Sequence, residues 1–532
     1  MNRPNLLLIT SDQQQWHNLG VSDPKIQTPN LDRLAAMGVH FTRAYCPNPT
    51  CTPTRASILT GMYPSAHGAF TLGTRLDPET PTVGDHLREL GYATTLVGKA
   101  HFQPLKSTED RPSVESYPTL LDLDFWRGFN DEHTPWYGFD RVELARNHAD
   151  EGHAGQHYAI WLENHGLADW RAYFQPRQDG EEDVPEAATK APPVADGPAY
   201  GWRADMHWQL PAELHYTTWT AERTNAAIEE AVAAGRPFFV WSSYHDPHPP
   251  YCVPEPWASM YKPEDMDIRG FVDGEFDDMP PPHRLTREPK AEADPAFRAF
   301  GPDGFGNHGY HSHLGVDERT LKEAKATYFG MISFMDHAIG ATLDKLEELG
   351  VLGDTLIVFT SDHGHFLGEH GLVAKGPFHY EDVIRVPFLA AFGGRLPRGT
   401  QSDAIQTLVD LAPTFLEAAG RDATPRAMQG LAQLAAWSDP SRPAPRDHAV
   451  VENHHNDSDA VHLRTLVTQR HKLTVYRGRP WGELFDLQED PHELKNLFDD
   501  PAHAGLRAEM MERLVQADLA REPAPEPRVA GA

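Results

Sequence analysis

Short continuous apolar runs recur along the chain and are separated by stretches with helical spacing. Such runs are typical of strands buried on both faces of a sheet. They predict strands at residues 6–10, 92–97, 237–241, 355–360 and 386–392. Because strands alternate with helices, we predict an α/β fold with a mostly parallel central sheet.

The spacing of apolar residues predicts four long helices in the same part of the chain. One begins at Thr28–Pro29, with Thr28 as N-cap and Pro29 in the first turn, and ends at Gly38. The others are predicted at residues 82–90, 318–349 and 406–419, each followed by a glycine.

The domain organisation follows from changes in this pattern. Residues 1–437 form the predicted main domain, with insertions at about 107–212 and 269–309 that are rich in Pro, Gly and acidic residues. Such loops form lids or pocket walls, or else only surface or an oligomer contact. Residues 438–532 predict a small α+β domain, with strands at 461–468, 473–476 and 484–487 and a helix at 504–519.

The amino-acid composition limits the classes of molecule that the protein can bind. The formal net charge of −30 disfavours nucleic acid and anionic membranes, so an anionic substrate would need a local cationic pocket. Three cysteines, Cys46, Cys51 and Cys252, do not make a disulfide framework or complete a zinc site. We find no secretory signal and no run of transmembrane length, and we expect a cytoplasmic protein.

Polar side chains follow four of the predicted strands. In a parallel sheet these points share the carboxyl edge, where α/β enzymes place their sites. The residues concerned are Asp12, Gln13, Lys99, His101, His245, His248, Asp362 and His363. Any one of them alone is as well explained as a cap, a turn or an exposed strand end. Together they favour a site.

Asp12, Gln13, Asp362 and His363 are predicted metal ligands. Carboxylate and amide oxygens suit Ca²⁺ or Mg²⁺, and an imidazole moves the preference towards Mn²⁺. Lys375 follows a glycine-rich loop and could add a cation, although most lysines are simply solvated.

The strongest local pattern lies at residues 49–61, where Cys51 and Arg55 stand at a turn that leads into a short helix. A helix N-terminus and a nearby cation both favour an anionic nucleophile or a bound anion.

This segment resembles the signature of the sulfatases, Cys-x-Pro-x-Arg with a later Thr-Gly. Further similar segments cover nearly the whole chain outside the insertions: residues 28–34, 91–101, 360–364, 484–487 and 490–491. The resemblance implies an alkaline-phosphatase-like α/β/α sandwich with a smaller C-terminal α+β domain. It also implies that a maturation enzyme oxidises Cys51 to formylglycine, whose hydrate is the nucleophile, beside one divalent ion, Ca²⁺ or Mn²⁺.

The resemblance also implies roles for single residues. Asp12, Gln13, Asp362 and His363 would hold the metal beside residue 51. Arg55 would stabilise the hydrate, and His101 would deprotonate it. Lys99, Lys375 and His248 would bind the sulfate group and its leaving oxygen. The substrate would be a small anionic ester, and we expect a homo-oligomer.

The sequence departs from many arylsulfatases in the metal set. Gln13 and His363 stand where those enzymes have Asp and Asn, and residues 247–250 and 260–266 are similar to phosphonate monoester hydrolases. Those hydrolases lack the Lys99/His101 pair, which favours a sulfate monoester. We therefore predict a sulfatase with side activity on phosphonates or phosphodiesters. The alternatives are a phosphonate monoester hydrolase or phosphodiesterase, and a non-catalytic binding protein in which Cys51 stays a thiol.

Overall fold

The structure is a computed structural model that describes residues 3–176, 189–194, 202–287, 311–312, 316–421, 423–439, 441–454 and 461–522. Parts of both predicted insertions, at 177–188, 195–201 and 288–309, lie outside the described residues, as does the C-terminal segment 523–532.

The described strands are, in chain order, β1 Asn5–Ser11, β2 Val39–Phe41, β3 Ala44–Tyr45, β4 Ala93–Gly98, β5 Arg141–Leu144, β6 Phe238–Ser243, β7 His311–Ser312, β8 Thr355–Ser361, β9 Phe366–Leu367, β10 Leu372–Ala374, β11 Arg385–Val386, β12 Phe388–Phe392, β13 Thr400–Ser402, β14 Gln406–Thr407, β15 Ala449–His454, β16 His462–Val467, β17 His471–Tyr476 and β18 Gly482–Asp486. The described α-helices are α1 Pro29–Met37, α2 Cys51–Thr60, α3 Pro64–His67, α4 Val83–Glu89, α5 Leu123–Glu132, α6 Gln156–Asn164, α7 Tyr216–Ala233, α8 Pro281–Leu285, α9 Glu318–Glu348, α10 Glu381–Ile384, α11 Leu411–Ala418, α12 Leu434–Ser438 and α13 Ala504–Ala520.

The central sheet has the strand order β13-β2-β12-β8-β1-β6-β4-β5. Strands β8, β1, β6, β4 and β5 run parallel to one another, and β12 is antiparallel to both β8 and β2. The predicted α/β fold with a mostly parallel sheet is confirmed.

Two layers of helices cover this sheet. Leu6 and Leu8 of β1 point into a core shared with α2, α4 and α11, whereas Leu7 and Ile9 point into one shared with α1, α7 and α9. Alternate side chains of a strand face opposite sides, so a run that is apolar at every position requires a cover on both faces. The result is an α/β/α sandwich.

The start of α1 differs from the prediction. Thr28 makes no side-chain cap; its hydroxyl accepts from the backbone N–H of Gly20 at 2.7 Å. The carboxylate of Asp336 on α9 instead accepts from the N–H groups of Asn30 and Leu31, at 3.2 and 2.7 Å. A carboxylate from another helix thus satisfies donors that α1 itself leaves unpaired.

The predicted helix at 406–419 begins later than expected. Gln406–Thr407 forms strand β14, which pairs with β3, and a 3₁₀ turn at Leu408–Asp410 precedes α11. The apolar periodicity was correctly assigned from residue 411 onwards. At Gln406 and Thr407 the long-range pairing with β3 outweighs the helical pattern of the sequence.

The segment predicted as an insertion at 107–212 is more than a loop over the sheet. Its residues 141–144 form β5, the edge strand of the central sheet, with Leu144 paired to Gly98. Because β5 is parallel to β4, the residues after β5 reach the same edge as Lys99.

The C-terminal part contains an antiparallel sheet, β15-β16-β17-β18, packed against α13. The predicted small α+β unit is therefore present, and the exact boundary at 437/438 stays a prediction. Among the helices that the structure describes, none combines the length and apolar character needed to cross a lipid bilayer.

Candidate active site

The carboxyl edge of the central sheet gathers the predicted site residues. Ser11 is level with Ser361, and Gly98 with Ser243, so the four strands end side by side. The residues after them therefore meet above the first residue of α2, which is Cys51. All ten residues of α2 are buried, including Arg55.

Cys51 lies among charged groups. Its Sγ is 2.9 Å from Lys375 Nζ, 3.6 Å from Lys99 Nζ, 3.2 Å from His363 Nε2 and 3.6 Å from Asp12 Oδ1. Burial and the Asp12 carboxylate raise the pKa of the thiol, but Lys375 and Lys99 outweigh them and lower it to about 6. The site thus stabilises negative charge on the residue-51 side chain.

Arg55 neutralises the carboxylates around Cys51. Its Nε donates to Asp362 Oδ2 at 2.8 Å, and its Nη2 lies 3.6 Å from Asp12 Oδ2. Nη1 donates to the backbone oxygen of Lys99 and to Ser243 Oγ, at 2.9 and 2.7 Å. Arg55 therefore ties β4, β6 and β8 to α2, and it makes no hydrogen bond to Cys51 among the described residues.

Asp12, Cys51, Asp362 and His363 offer ligand atoms that all lie within 4.8 Å of one another. His363 Nδ1 donates to the Gly364 carbonyl at 2.9 Å, which leaves the lone pair of Nε2 towards Cys51. Two carboxylates, an imidazole and a polar side chain fit a divalent cation.

The contacts of Gln13 also favour a divalent cation at this site. Its backbone N–H donates to Asp362 Oδ1 at 3.0 Å, and its side-chain Nε2 donates to His365 Nδ1 at 2.6 Å. Tyr251 contacts the other nitrogen of His365, at 2.5 Å. The Gln13 amide is therefore oriented with its nitrogen on His365, while its buried Oε1 has no hydrogen-bond partner among the described residues. A buried carbonyl oxygen without a partner is a vacant ligand for a hard cation.

His248 and His101 are placed differently from each other. His248 Nε2 accepts from Lys375 Nζ at 3.1 Å, while burial, His148 and Lys375 hold its pKa well below the usual range. It is therefore a neutral imidazole that holds Lys375. His101 makes no hydrogen bond to Cys51 among the described residues, and burial with Arg146 and Lys99 lowers its pKa. Its Nδ1 is buried and has no hydrogen-bond partner in the part of the chain that the structure describes.

Several residues of the site escaped the sequence analysis. His148 Nε2 lies 2.7 Å from Lys99 Nζ, and the ring of His148 stacks on that of His248 with 3.7 Å between centroids. Glu115 accepts from the backbone N–H of His101 and fixes that turn. His245, in contrast, points to the Ala145 carbonyl. The alternation of Val142 and Leu144 in β5 was the available signal for His148.

The α/β/α fold and a buried, charged site with a possible metal-binding cluster are typical of hydrolases that act on anionic esters. Comparison with known proteins agrees: residues 4–421 match the Sulfatase family, and the chain belongs to this family. Residues 368–520 also match the C-terminal part of the N-sulphoglucosamine sulphohydrolase family. The predicted resemblance is confirmed.

Individual relatives cover both chemistries considered above. The chain is 29% identical to the multifunctional alkaline phosphatase superfamily protein PehA of Trinickia caryophylli, over 95% of this chain and 93% of that one. It is 29% identical to an arylsulfatase of Clostridium perfringens, over 93% and 90%. The solved phosphonate monoester hydrolase of Agrobacterium radiobacter is similar with a TM-score of 0.74 and 25% identity, over 98% of this chain and 96% of that one.

Proposed function

We propose that this protein hydrolyses aryl or small alkyl sulfate monoesters to an alcohol and sulfate, with a nucleophile made from Cys51. The observation that carries the proposal is that two buried lysines both contact the side chain of Cys51. Lys375 and Lys99 lie 2.9 and 3.6 Å from Cys51 Sγ at the N-terminus of α2. A transferring sulfuryl group needs cationic donors there, because negative charge accumulates on its oxygens.

The nucleophile of the proposed reaction is the hydrate of a formylglycine made from Cys51 by a maturation enzyme. An oxygen on the same Cβ would then replace Sγ. A bound Ca²⁺ or Mn²⁺, held by Asp12, Gln13, Asp362 and His363, would neutralise charge on the ester and activate the hydroxyl.

The residues around position 51 have the other roles in the proposed reaction. Lys99 and Lys375 orient the anion, and Arg55 keeps the carboxylates in place. His101, neutral and with a vacant Nδ1, is the proposed base for the second hydroxyl, which releases sulfate and restores the aldehyde. The neutral His248 assists the leaving oxygen through Lys375.

Phosphonate monoester hydrolysis is the second candidate, and one observation favours it. His363 lies in the metal cluster, Gln13 donates its backbone N–H to Asp362 of that cluster, and a phosphonate monoester hydrolase is among the structural neighbours. One charged pocket of this kind accepts several tetrahedral anions, so we propose that both activities are present and that sulfate esters react faster.

The test compares kcat/KM for an aryl sulfate and an aryl phosphonate monoester with the same leaving phenol. The protein must first be shown by peptide mass to carry formylglycine at position 51, and the Cys51→Ala variant serves as the blank. A faster sulfate supports the proposal. A faster phosphonate makes the second candidate the function. Equal turnover by Cys51→Ala would reject the Cys51 nucleophile altogether.

A further inference from the structure

Glu151, His148 and Lys99 form a chain of three hydrogen-bonded side chains. Glu151 Oε2 accepts from both the backbone N–H and Nδ1 of His148, each at 2.8 Å. Nε2 of the same ring lies 2.7 Å from Lys99 Nζ. Because Nδ1 donates to a carboxylate and an ammonium can only donate, Nε2 is the acceptor in the hydrogen bond from Lys99.

His148 is one of three hydrogen-bond acceptors around the Lys99 ammonium. An ammonium has three donors, and here the acceptors are Asp12 Oδ2, His148 Nε2 and Cys51 Sγ. With the first two fixed, the third N–H is directed at residue 51, where the ester anion has to bind. Lysine otherwise carries its charge on a flexible stem, so these acceptors decide where the charge lies.

The arrangement is repeated on the other side of Cys51. His248 Nδ1 donates to the Pro249 carbonyl at 2.5 Å, and Nε2 accepts from Lys375 at 3.1 Å. Each of the two lysines that contact Cys51 thus donates to the Nε2 atom of one imidazole. The two imidazoles stack with centroids 3.7 Å apart, which links the two lysine anchors into one unit.

The backbone next to His148 is fixed by contacts of the following residues, Ala149 and Asp150. It follows edge strand β5, and Ala149 donates its backbone N–H to Tyr216 Oη at 3.2 Å. Asp150 forms a buried bidentate ion pair with Arg203, at 2.7 and 2.9 Å. These contacts fix the backbone between His148 and Glu151, as a positioning device requires.

We propose that His148, oriented by Glu151, is the positioning residue of Lys99 and fixes the direction in which Lys99 meets the substrate anion. The inference rests on the proposed ester hydrolysis at residue 51, but it concerns residues that neither the predicted site nor the family resemblance assigned.

The test is a double-mutant cycle on Lys99 and His148. His148→Ala is expected to lower kcat/KM for an aryl sulfate about tenfold in the wild-type background, and less than about twofold when Lys99 is already Ala. Equal losses in both backgrounds would overturn the proposal, since His148 would then act independently of Lys99.

Two further substitutions separate hydrogen bonding from ring packing. His148→Gln offers a carbonyl oxygen to Lys99 but removes the ring, whereas His148→Phe keeps a ring on His248 but offers no acceptor. The proposal predicts that Gln retains more activity than Phe, and the reverse order would contradict it. His165→Ala is the control, because His165 donates its Nδ1 proton to the Trp161 carbonyl at the end of α6, and the activity of this variant should be unchanged.

A binding measurement makes the outcome independent of turnover. The same cycle is run in the Cys51→Ala background with inorganic sulfate as the probe and the Kd read by calorimetry. Coupled losses of sulfate affinity support the role of His148 even if no ester is hydrolysed, a result that would reject only the proposed function. Additive losses would reject the role of His148, whatever the enzyme activity.

Discussion

Replacing Lys375 by alanine is the most direct test of the electrostatic reasoning. Lys375 Nζ donates to Cys51 Sγ at 2.9 Å and is buried, and the negative charge on Cys51 raises its pKa further above that of a free lysine, even though burial lowers it. It is therefore a permanent positive charge at the reacting atom. The variant removes that charge and leaves the carboxylates of Asp12 and Asp362 in place.

The size of the effect follows from the distance. Two unit charges 2.9 Å apart interact by about 6 kcal/mol at an effective dielectric constant of about 20. Only part of this is specific to the transition state, because the ester is already an anion when it binds. Loss of a single oxyanion donor costs about 3–4 kcal/mol. We therefore expect kcat/KM to fall by about 100- to 1000-fold.

The assay is kcat/KM for an aryl sulfate, normalised to the fraction of residue 51 that peptide mass shows to be matured. Lys322→Ala is the matched control, since Lys322 forms an ion pair with Glu318 at 2.8 Å on α9, remote in sequence from the site. Circular dichroism should show an intact fold. A Lys375→Ala protein that keeps a third or more of the wild-type value would refute the reasoning.

Three further outcomes are expected. Chelation should abolish activity, Mn²⁺ or Ca²⁺ should restore it, and Gln13→Leu should raise the metal concentration needed for restoration; unchanged metal dependence would remove Gln13 from the ligand set. Asp336→Ala should lower the free energy of unfolding in urea by about 1–2 kcal/mol, because it uncaps α1; no change would mean that water replaces the cap. Burial raises the pKa of Glu452, but Arg464 and Arg521 lower it overall. Its folded pKa is thus below the unfolded value, so it should stabilise the protein above about pH 4.3 and lose that contribution as the pH falls, and Glu452→Gln should flatten the stability profile below that pH. An equally steep profile in the variant would disprove this.

Most of the fold was predictable because its signals are local. Apolar runs mark strands covered on both sides, as at Leu6 and Leu356, and the ends of parallel strands share one edge. That rule alone brought Asp12, Lys99 and Asp362 together in the prediction. The 49–61 segment added Cys51, since a sequence signature needs no tertiary information.

The errors arose where a long-range contact decides the local structure. Gln406 carries a helical pattern but pairs with β3 as a strand, and Thr28 has the chemistry of an N-cap but leaves that role to Asp336. His148 was missed because a four-residue edge strand within an irregular, polar segment gives a weak periodic signal, so nothing placed it beside Lys99.

The sequence by itself determined the type of fold, the signature segment at residues 49–61 and the kinds of residue at the sheet edge. These depend on periodicity and on neighbours within a few positions, which the chain displays directly. The tertiary structure alone decided which polar atoms contact one another. Arg55 donates to the Asp362 carboxylate, and His148 and His248 each accept from a lysine. Gln13 Oε1 has no hydrogen-bond partner among the described residues. Hydrogen-bond direction depends on distances of a few tenths of an ångström between residues far apart in the chain, which residue order does not encode.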